Sequence, residues 1–140
     1  MGKYPSNRTQ TYVWLFVCDV IAALCFSSYI LYMTAEHGHN LGAVGSIVFA
    51  FALYACFAIG HGIISYRLTK TIVFPTVILM SGLLLSLLEL FLIERFHWFD
   101  ICTDVALEGR EYVQMMSMVV LAAHILSSLV TKLFGLKKEK

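Results

Sequence analysis

Charged side chains are scarce in this chain: Asp, Glu, Lys and Arg together make up 14% of its 140 residues, whereas 59% are hydrophobic. The mean hydropathy is +0.79. A small soluble domain cannot bury so much apolar surface, because much of a small globule stays in contact with water. The scarcity of charge therefore excludes an ordinary soluble protein, and the net charge of +1 gives no reason to expect nucleic acid as a partner.

Signatures of catalysis are also missing from the sequence. It has no nucleophile with a neighbouring base, no phosphate-binding loop and no cluster of metal-ligand residues. The segments between its apolar runs are too short to build a pocket that excludes water. We therefore expect a protein that is not an enzyme and that holds no cofactor.

Cysteine is present only as four scattered residues. Cys18, Cys25 and Cys56 fall inside apolar runs, and Cys102 alone falls in a connection. A single cysteine in a connection cannot form a disulfide within it, so no disulfide framework is expected.

What the sequence has instead is four apolar runs, at about 12–33, 41–66, 71–93 and 112–134. Each exceeds the roughly 20 residues that a helix needs to cross about 30 Å of hydrocarbon. Helices are expected because a backbone in lipid must satisfy its own hydrogen bonds, and the alternation of a barrel strand is absent. The first run is predicted to stay in the protein, since it is too long for a cleaved signal peptide and contains Asp19. The predicted fold is all-α: residues 1–140 form one transmembrane domain, an up-down-up-down four-helix bundle.

Lys and Arg are distributed unevenly between the two ends of these runs. Eight of the ten fall on the side that holds both termini and the second connection, and only Arg95 and Arg110 fall on the other side. Cytosolic segments of membrane proteins carry the excess of Lys and Arg. Both termini are therefore predicted to lie in the cytosol.

The second run carries a row of small residues that we call the small ladder. Its members are spaced four apart, with one large exception: Gly42, Ser46, Ala50, Tyr54, Ala58 and Gly62. Residues four apart share a helix face, so a second helix can approach this face closely. That helix belongs either to this chain or to another protein. Gly45, Ala52, Cys56 and Gly60 lie on other faces, which predicts that the second helix is central and has two neighbours.

Four ionisable residues interrupt the apolar runs: Asp19, His61, Glu89 and His124. In lipid each is costly unless it faces the bundle interior, is neutral or has a partner. Counted along the helices, Asp19 lies roughly 10 Å and His61 roughly 8 Å from the cytosolic edge, so we predict that they pair. Glu89 is predicted to lie near the far interface, level with Gln114 and Ser117 of the fourth run, and to share a hydrogen bond with them. These groups either join helices by hydrogen bonds or form a proton path or a polar ligand site.

The histidines also raise the question of a haem or a metal ion. His61 and His124 are expected to differ in depth by roughly 7 Å, which argues against one haem iron between them. His37-Gly38-His39 offers two ligands only, so a solvated loop is expected there rather than a metal site. The connection at 94–111 mixes aromatic and acidic residues, and is predicted to lie in the interface as an amphipathic stretch or to dock a lumenal partner.

The sequence ends with Lys137-Lys138-Glu139-Lys140. Lys138 and Lys137, the third and fourth residues from the end, resemble the dilysine signal that returns membrane proteins to the endoplasmic reticulum. That signal is read on cytosolic tails. A basic tail beside lipid headgroups is the alternative. Lys137 and Lys138 are therefore candidate targeting residues for the endoplasmic reticulum or another endomembrane.

Two segments of the chain resemble the transmembrane protein 107 family. They are Phe91-Leu92-Ile93-Glu94-Arg95-Phe96 and Val130-Thr131-Lys132-Leu133-Phe134-Gly135-Leu136-Lys137-Lys138. Members of that family are small four-span proteins of the ciliary transition zone, and their length and span number are similar. The resemblance implies a non-enzymatic scaffold in the ciliary membrane.

The sequence as a whole predicts a structural or accessory membrane protein. Such a protein binds other integral membrane proteins, or further copies of itself, through helix faces inside the lipid bilayer. The alternative is a small transporter, channel or lipid-handling protein that uses Asp19, His61 and Glu89 within the membrane.

Overall fold

The structure, a computed structural model, describes residues 8–37, 41–96 and 103–138, with side chains described except at 35–37, 41, 43, 103–108 and 136–138. The described part is helical: α1 is Arg8–His37, α2 is Leu41–Thr69, α3 is Val73–Phe96 and α4 is Thr103–Lys138. Four stretches are long and apolar enough to cross a membrane: Arg8–Thr34, Val44–Thr69, Val73–Phe96 and Gly109–Gly135. The predicted all-α fold with four candidate spans is thus confirmed.

The described helices extend beyond most ends of the predicted apolar runs. The difference is largest in α4, because residues 103–111, predicted to belong to a connection, are part of this helix. Hydropathy marks only the part of a helix that suits hydrocarbon, whereas backbone hydrogen bonding continues into the polar residues beyond it. The 36 residues of α4 extend over about 54 Å, against about 30 Å of hydrocarbon. His37 similarly belongs to α1, whereas Gly38, His39 and Cys102 lie outside the described residues.

The four helices form a ring whose order differs from their order in the sequence. The largest interfaces are α1 with α3 and α2 with α4, and the ring is completed by α1 with α2 and α3 with α4. Across the ring α1 packs against α4, whereas α2 and α3 barely touch. The prediction that α2 is central is therefore wrong. Helices α1 and α4 each pack against all three others, whereas α2 makes most of its contacts with α4.

The link between α2 and α3 is a tight turn. Lys70 follows the last residue of α2, takes the left-handed backbone conformation with φ 57°, and donates its backbone N–H to the carbonyl of Tyr66 at 2.8 Å. This arrangement caps the C-terminus of the helix. Pro75 lies in the first turn of α3, where its missing N–H has no helical partner to lose.

The apolar side chains divide between a packed interior and an outer surface. Ile30, Ala58, Leu79 and Val120 are fully buried where the helices meet. A large set of apolar side chains faces outward instead, including Trp14, Phe49, Val73, Met118 and Leu133. A continuous apolar exterior of this kind suits lipid and not water, which supports a bilayer as the surroundings of the bundle.

Candidate functional site

Three ionisable side chains from three helices meet in the bundle interior. Asp19 of α1 and His124 of α4 are 0% exposed, and His61 of α2 is 8% exposed. His61 lies between the other two, so we refer to the set as the Asp–His–His chain. Ionisable groups are rare in apolar spans because burying them costs free energy. The Asp–His–His chain is therefore the first candidate for a functional site.

The predicted contact between Asp19 and His61 is present. The Nε2 atom of His61 lies 3.2 Å from Oδ1 of Asp19. The direction of approach is not that of a hydrogen bond, and both Asp19 oxygens lack a hydrogen-bond partner among the described residues. We therefore treat this pair as a close polar contact, because a hydrogen bond needs alignment as well as a short distance.

The predicted difference in depth between His61 and His124 is wrong. Their Nδ1 atoms are 3.3 Å apart and their ring centroids 5.2 Å apart. The sequence estimate measured depth from the ends of the apolar runs, but α4 continues further than α2 at the end where both finish. The argument from depth against a shared iron therefore fails. The direct approach of one Nδ1 to the other is instead the geometry of a hydrogen bond between imidazoles of opposite tautomers.

The Asp–His–His chain does not converge on a point where a metal ion could bind. His61 directs one ring nitrogen at Asp19 and the other at His124. In the described part of the protein, no three His, Cys, Asp or Glu residues are grouped so that they could hold a metal ion.

Two glycines let the helices approach closely at the level of the Asp–His–His chain. A Cβ atom on Gly62 would lie 2.6 Å from the backbone carbonyl oxygen of His124, and would also clash with Ser127. A Cβ atom on Gly82 would lie 3.1 Å from the backbone of Asp19. Gly62 was predicted as part of the small ladder, whereas Gly82 was not singled out; its position beside Ser81 in an otherwise large-residue run was the available signal.

The small ladder is divided between the interior and the surface of the bundle. Ala50, Ala58 and Gly62 are buried, and Ser128 of α4 donates a hydrogen bond of 3.1 Å to the carbonyl of Gly62. Gly42 is exposed and Ser46 half-buried, with the Ser46 hydroxyl bonded to the carbonyl of Gly42 at 3.0 Å. The buried half of the ladder therefore packs within this chain.

Tyr54, the large exception in the ladder, is also fully buried. Its ring stacks on Phe26 of α1 with centroids 4.5 Å apart. Its hydroxyl lacks a hydrogen-bond partner among the described residues, although a buried tyrosine hydroxyl usually has one. Tyr54 is thus a polar member of the interior that the sequence did not distinguish.

Glu89 has different partners from those predicted. Its carboxylate accepts hydrogen bonds from Ser27 at 2.9 Å and from Ser28 at 3.2 Å, both on α1. Gln114 is exposed and Ser117 bonds to the carbonyl of Val113 in its own helix, so the predicted pairing with α4 is wrong. The reason is the ring order, which sets α3 against α1 more extensively than against α4.

The candidate targeting residues lie at the end of α4, and three cysteines lie along α1 and α2. Lys137 and Lys138 belong to the last turn of α4, with side chains outside the described set. Cys18, Cys25 and Cys56 are free thiols on the outer surface of the bundle.

Comparison of the chain with protein-family models, curated proteins and solved structures gives no match. The assignment of function therefore depends on the residues and their geometry.

Proposed function

We propose that this protein is a non-enzymatic four-span accessory protein that binds other integral membrane proteins through its lipid-facing helix surface. The observation that carries the proposal is a second row of small residues on α2, directed away from α4. Gly45, Ala52 and Cys56 are exposed and Gly60 is half-buried. A Cβ atom on Gly45 or Gly60 would meet nothing within 4 Å. We call this row the outer row, and it offers another helix the close approach that drives association in lipid.

The use of the polar groups supports the same proposal. Glu89 joins α3 to α1, Ser128 joins α4 to α2, and His61 contacts both α1 and α4. Each of these groups links helices of this chain, which is the role of interhelical hydrogen bonds in a structural bundle. These links give each polar group a structural role that needs no transported species.

The place of the protein in the cell is part of the proposal. The excess of Lys and Arg on one side supports cytosolic termini. The dilysine pattern at Lys137 and Lys138 supports the endoplasmic reticulum or another endomembrane, and the resemblance to the transmembrane protein 107 family supports the ciliary membrane. Self-association through the outer row is included, since an identical chain presents the same surface.

Filling the outer row tests the proposal. In the double variant Ala52→Leu with Gly60→Leu, the added side chains point outward and leave the interior unchanged. We expect proteins that co-purify with the tagged chain in mild detergent, or the dimer in crosslinking, to be lost. Ala122→Leu is the matched control, because Ala122 is an exposed small residue on α4. Unchanged association in the double variant, with the same thermal unfolding as wild type, would contradict the proposal.

The Asp–His–His chain favours a second candidate function, transfer of a proton inside the membrane. His124 Nε2 is buried and lacks a partner in the described part of the chain. If a proton binds there, His124 can release its Nδ1 proton to Nδ1 of His61, and His61 can release its Nε2 proton to a carboxylate oxygen of Asp19. One proton has then moved from His124 to Asp19, both imidazoles end neutral, and a negatively charged Asp19 becomes neutral.

The double variant Asp19→Asn with His61→Gln separates the two functions. Both replacements keep polar side chains of similar size but break the proton chain. Loss of proton flux in proteoliposomes, with association intact, would favour transport. Loss of association without any flux in the wild type would favour the accessory role.

A further inference from the structure

The C-terminal parts of α2 and α4 enclose a groove at the basic end of the bundle. Its volume is about 580 Å³, and its lining includes Ile63, Arg67, Lys70, Val130, Thr131 and Phe134. We propose that this basic groove binds an anionic glycerophospholipid, with the phosphate against Arg67 and Lys70 and an acyl chain against Ile63, Val130 and Phe134. This site is independent of the outer row, so it stands or falls separately from the accessory function.

The shape of the groove follows from how the two helices pack. α2 and α4 are in closest contact where Gly62 meets His124 and Ser128. Beyond that contact, positions 63–69 of α2 and the following Lys70 lie opposite positions 130–135 of α4. Gly135 contributes no side chain there, so the helices leave an opening along about 10 Å of α2, at about 1.5 Å per residue.

Among the described residues, no acidic side chain compensates the charge of the groove. Arg67 and Lys70 are exposed, and neither forms an ion pair with a described residue. At the other end of the bundle, by contrast, Arg110 is paired with Glu94 at 3.0 Å. Two cations that converge on one groove, with no acidic partner in the described part of the chain, are complementary to a phosphate group.

The position of Lys70 is set by the backbone. Its left-handed φ of 57° and the hydrogen bond from its N–H to Tyr66 hold it directly beyond the end of α2. Arg67 lies about one turn earlier, within α2. The two cations therefore lie where the apolar span finishes, which is the depth of lipid phosphates.

The apolar part of the lining selects a lipid over a soluble phosphate. Val130 and Phe134 are 48% and 67% exposed and continue into the outer apolar surface of α4. Thr131, which bonds to the carbonyl of Ser127 at 2.8 Å, adds a hydroxyl at the boundary. An acyl chain in this groove replaces contacts that these side chains would otherwise make with bulk lipid, while the phosphate gains two cations.

Native mass spectrometry of the full chain in a non-ionic detergent tests the site. The probes are phosphatidylglycerol and phosphatidylcholine of the same acyl composition. We expect wild type to retain phosphatidylglycerol more strongly, and the variant Arg67→Gln with Lys70→Gln to bind it about tenfold more weakly. The matched control is Arg8→Gln with Lys132→Gln, which removes the same charge from the same end of the bundle but outside the groove, and should change binding by less than about twofold.

Three results would overturn the proposal. Equal losses in the two double variants would mean that diffuse surface charge holds the lipid. Equal binding of phosphatidylcholine would mean that the groove does not select anionic headgroups. Displacement of the lipid by millimolar glycerol 3-phosphate would mean that the acyl half makes no contribution. If the groove variant unfolds, Thr131→Glu places a negative charge at the same site, and its failure to weaken phosphatidylglycerol binding would equally overturn the proposal.

Discussion

At the residue scale, packing in the interior of this bundle depends on two glycines as much as on the buried side chains. Gly62 and Gly82 let backbones approach at the level where Asp19, His61 and His124 meet. Polar atoms that cannot reach water are brought within contact distance of one another only because the helices are this close. Substitutions at these glycines should therefore act on the polar chain as well as on packing.

Gly62→Ala should destabilise the bundle. The new methyl group would meet the backbone carbonyl of His124, which cannot move without shifting α4. Overpacking of this kind costs about 1–3 kcal/mol, measured as a lower midpoint of thermal or SDS unfolding in detergent. Gly60→Ala is the control, because the space around Gly60 is open. Equal losses of stability in the two variants would contradict the close approach of α4 at Gly62.

The partners of Glu89 can be tested with a double-mutant cycle. Ser27→Ala and Glu89→Leu should show a coupling of about 0.6 kcal/mol in the free energy of unfolding, typical of a hydrogen bond between membrane helices. The parallel cycle of Ser117→Ala with Glu89→Leu should show no coupling, since Ser117 bonds within α4. Coupling to Ser117 in place of Ser27 would restore the partner predicted from the sequence.

At the scale of the element, the end of α2 carries local strain. Lys70 has a φ of 57°, a conformation that costs a side-chain-bearing residue about 1 kcal/mol and glycine almost nothing. The capping hydrogen bond to Tyr66 keeps it there. The strained backbone of this turn therefore accompanies a lysine at the mouth of the basic groove.

Lys70→Gly should raise the free energy of unfolding by about 1 kcal/mol in detergent that lacks anionic lipid. Lys70→Gln removes the same charge but keeps the strain, so its stability should match wild type. Chemical denaturation of both variants measures the difference. A stabilisation shared by Lys70→Gln would assign the effect to charge and not to the backbone.

At the scale of the whole molecule, four candidate spans place both ends of the chain on one side of the membrane if all of them cross it. The described cations at the end of α2 and of α4 contrast with the mixed charges at the other end, where Glu94 and Arg110 pair. A bundle with one cationic end is expected to place that end in the cytosol.

Tags fused to the two termini should both be digested by protease added to sealed vesicles that expose their cytosolic face. A lumenal marker protein provides the control for vesicle integrity, and it should stay protected. Digestion of one tag and protection of the other would show that an odd number of the apolar runs crosses the membrane. Protection of both tags would reverse the orientation inferred from Lys and Arg.

Four long apolar helices follow from the amino-acid sequence alone, because hydropathy and backbone hydrogen bonding in lipid depend on local composition. The sequence also predicted the contact of Asp19 with His61, since residues at the same depth on neighbouring helices can meet. The ring order of the helices, by contrast, is seen only in their packing. That order depends on small differences in packing among four similar apolar surfaces, which no periodicity within one helix encodes. The ring order gives Glu89 of α3 hydrogen-bond partners on α1 and not on α4. It also places His124 beside His61 and Gly82 against Asp19.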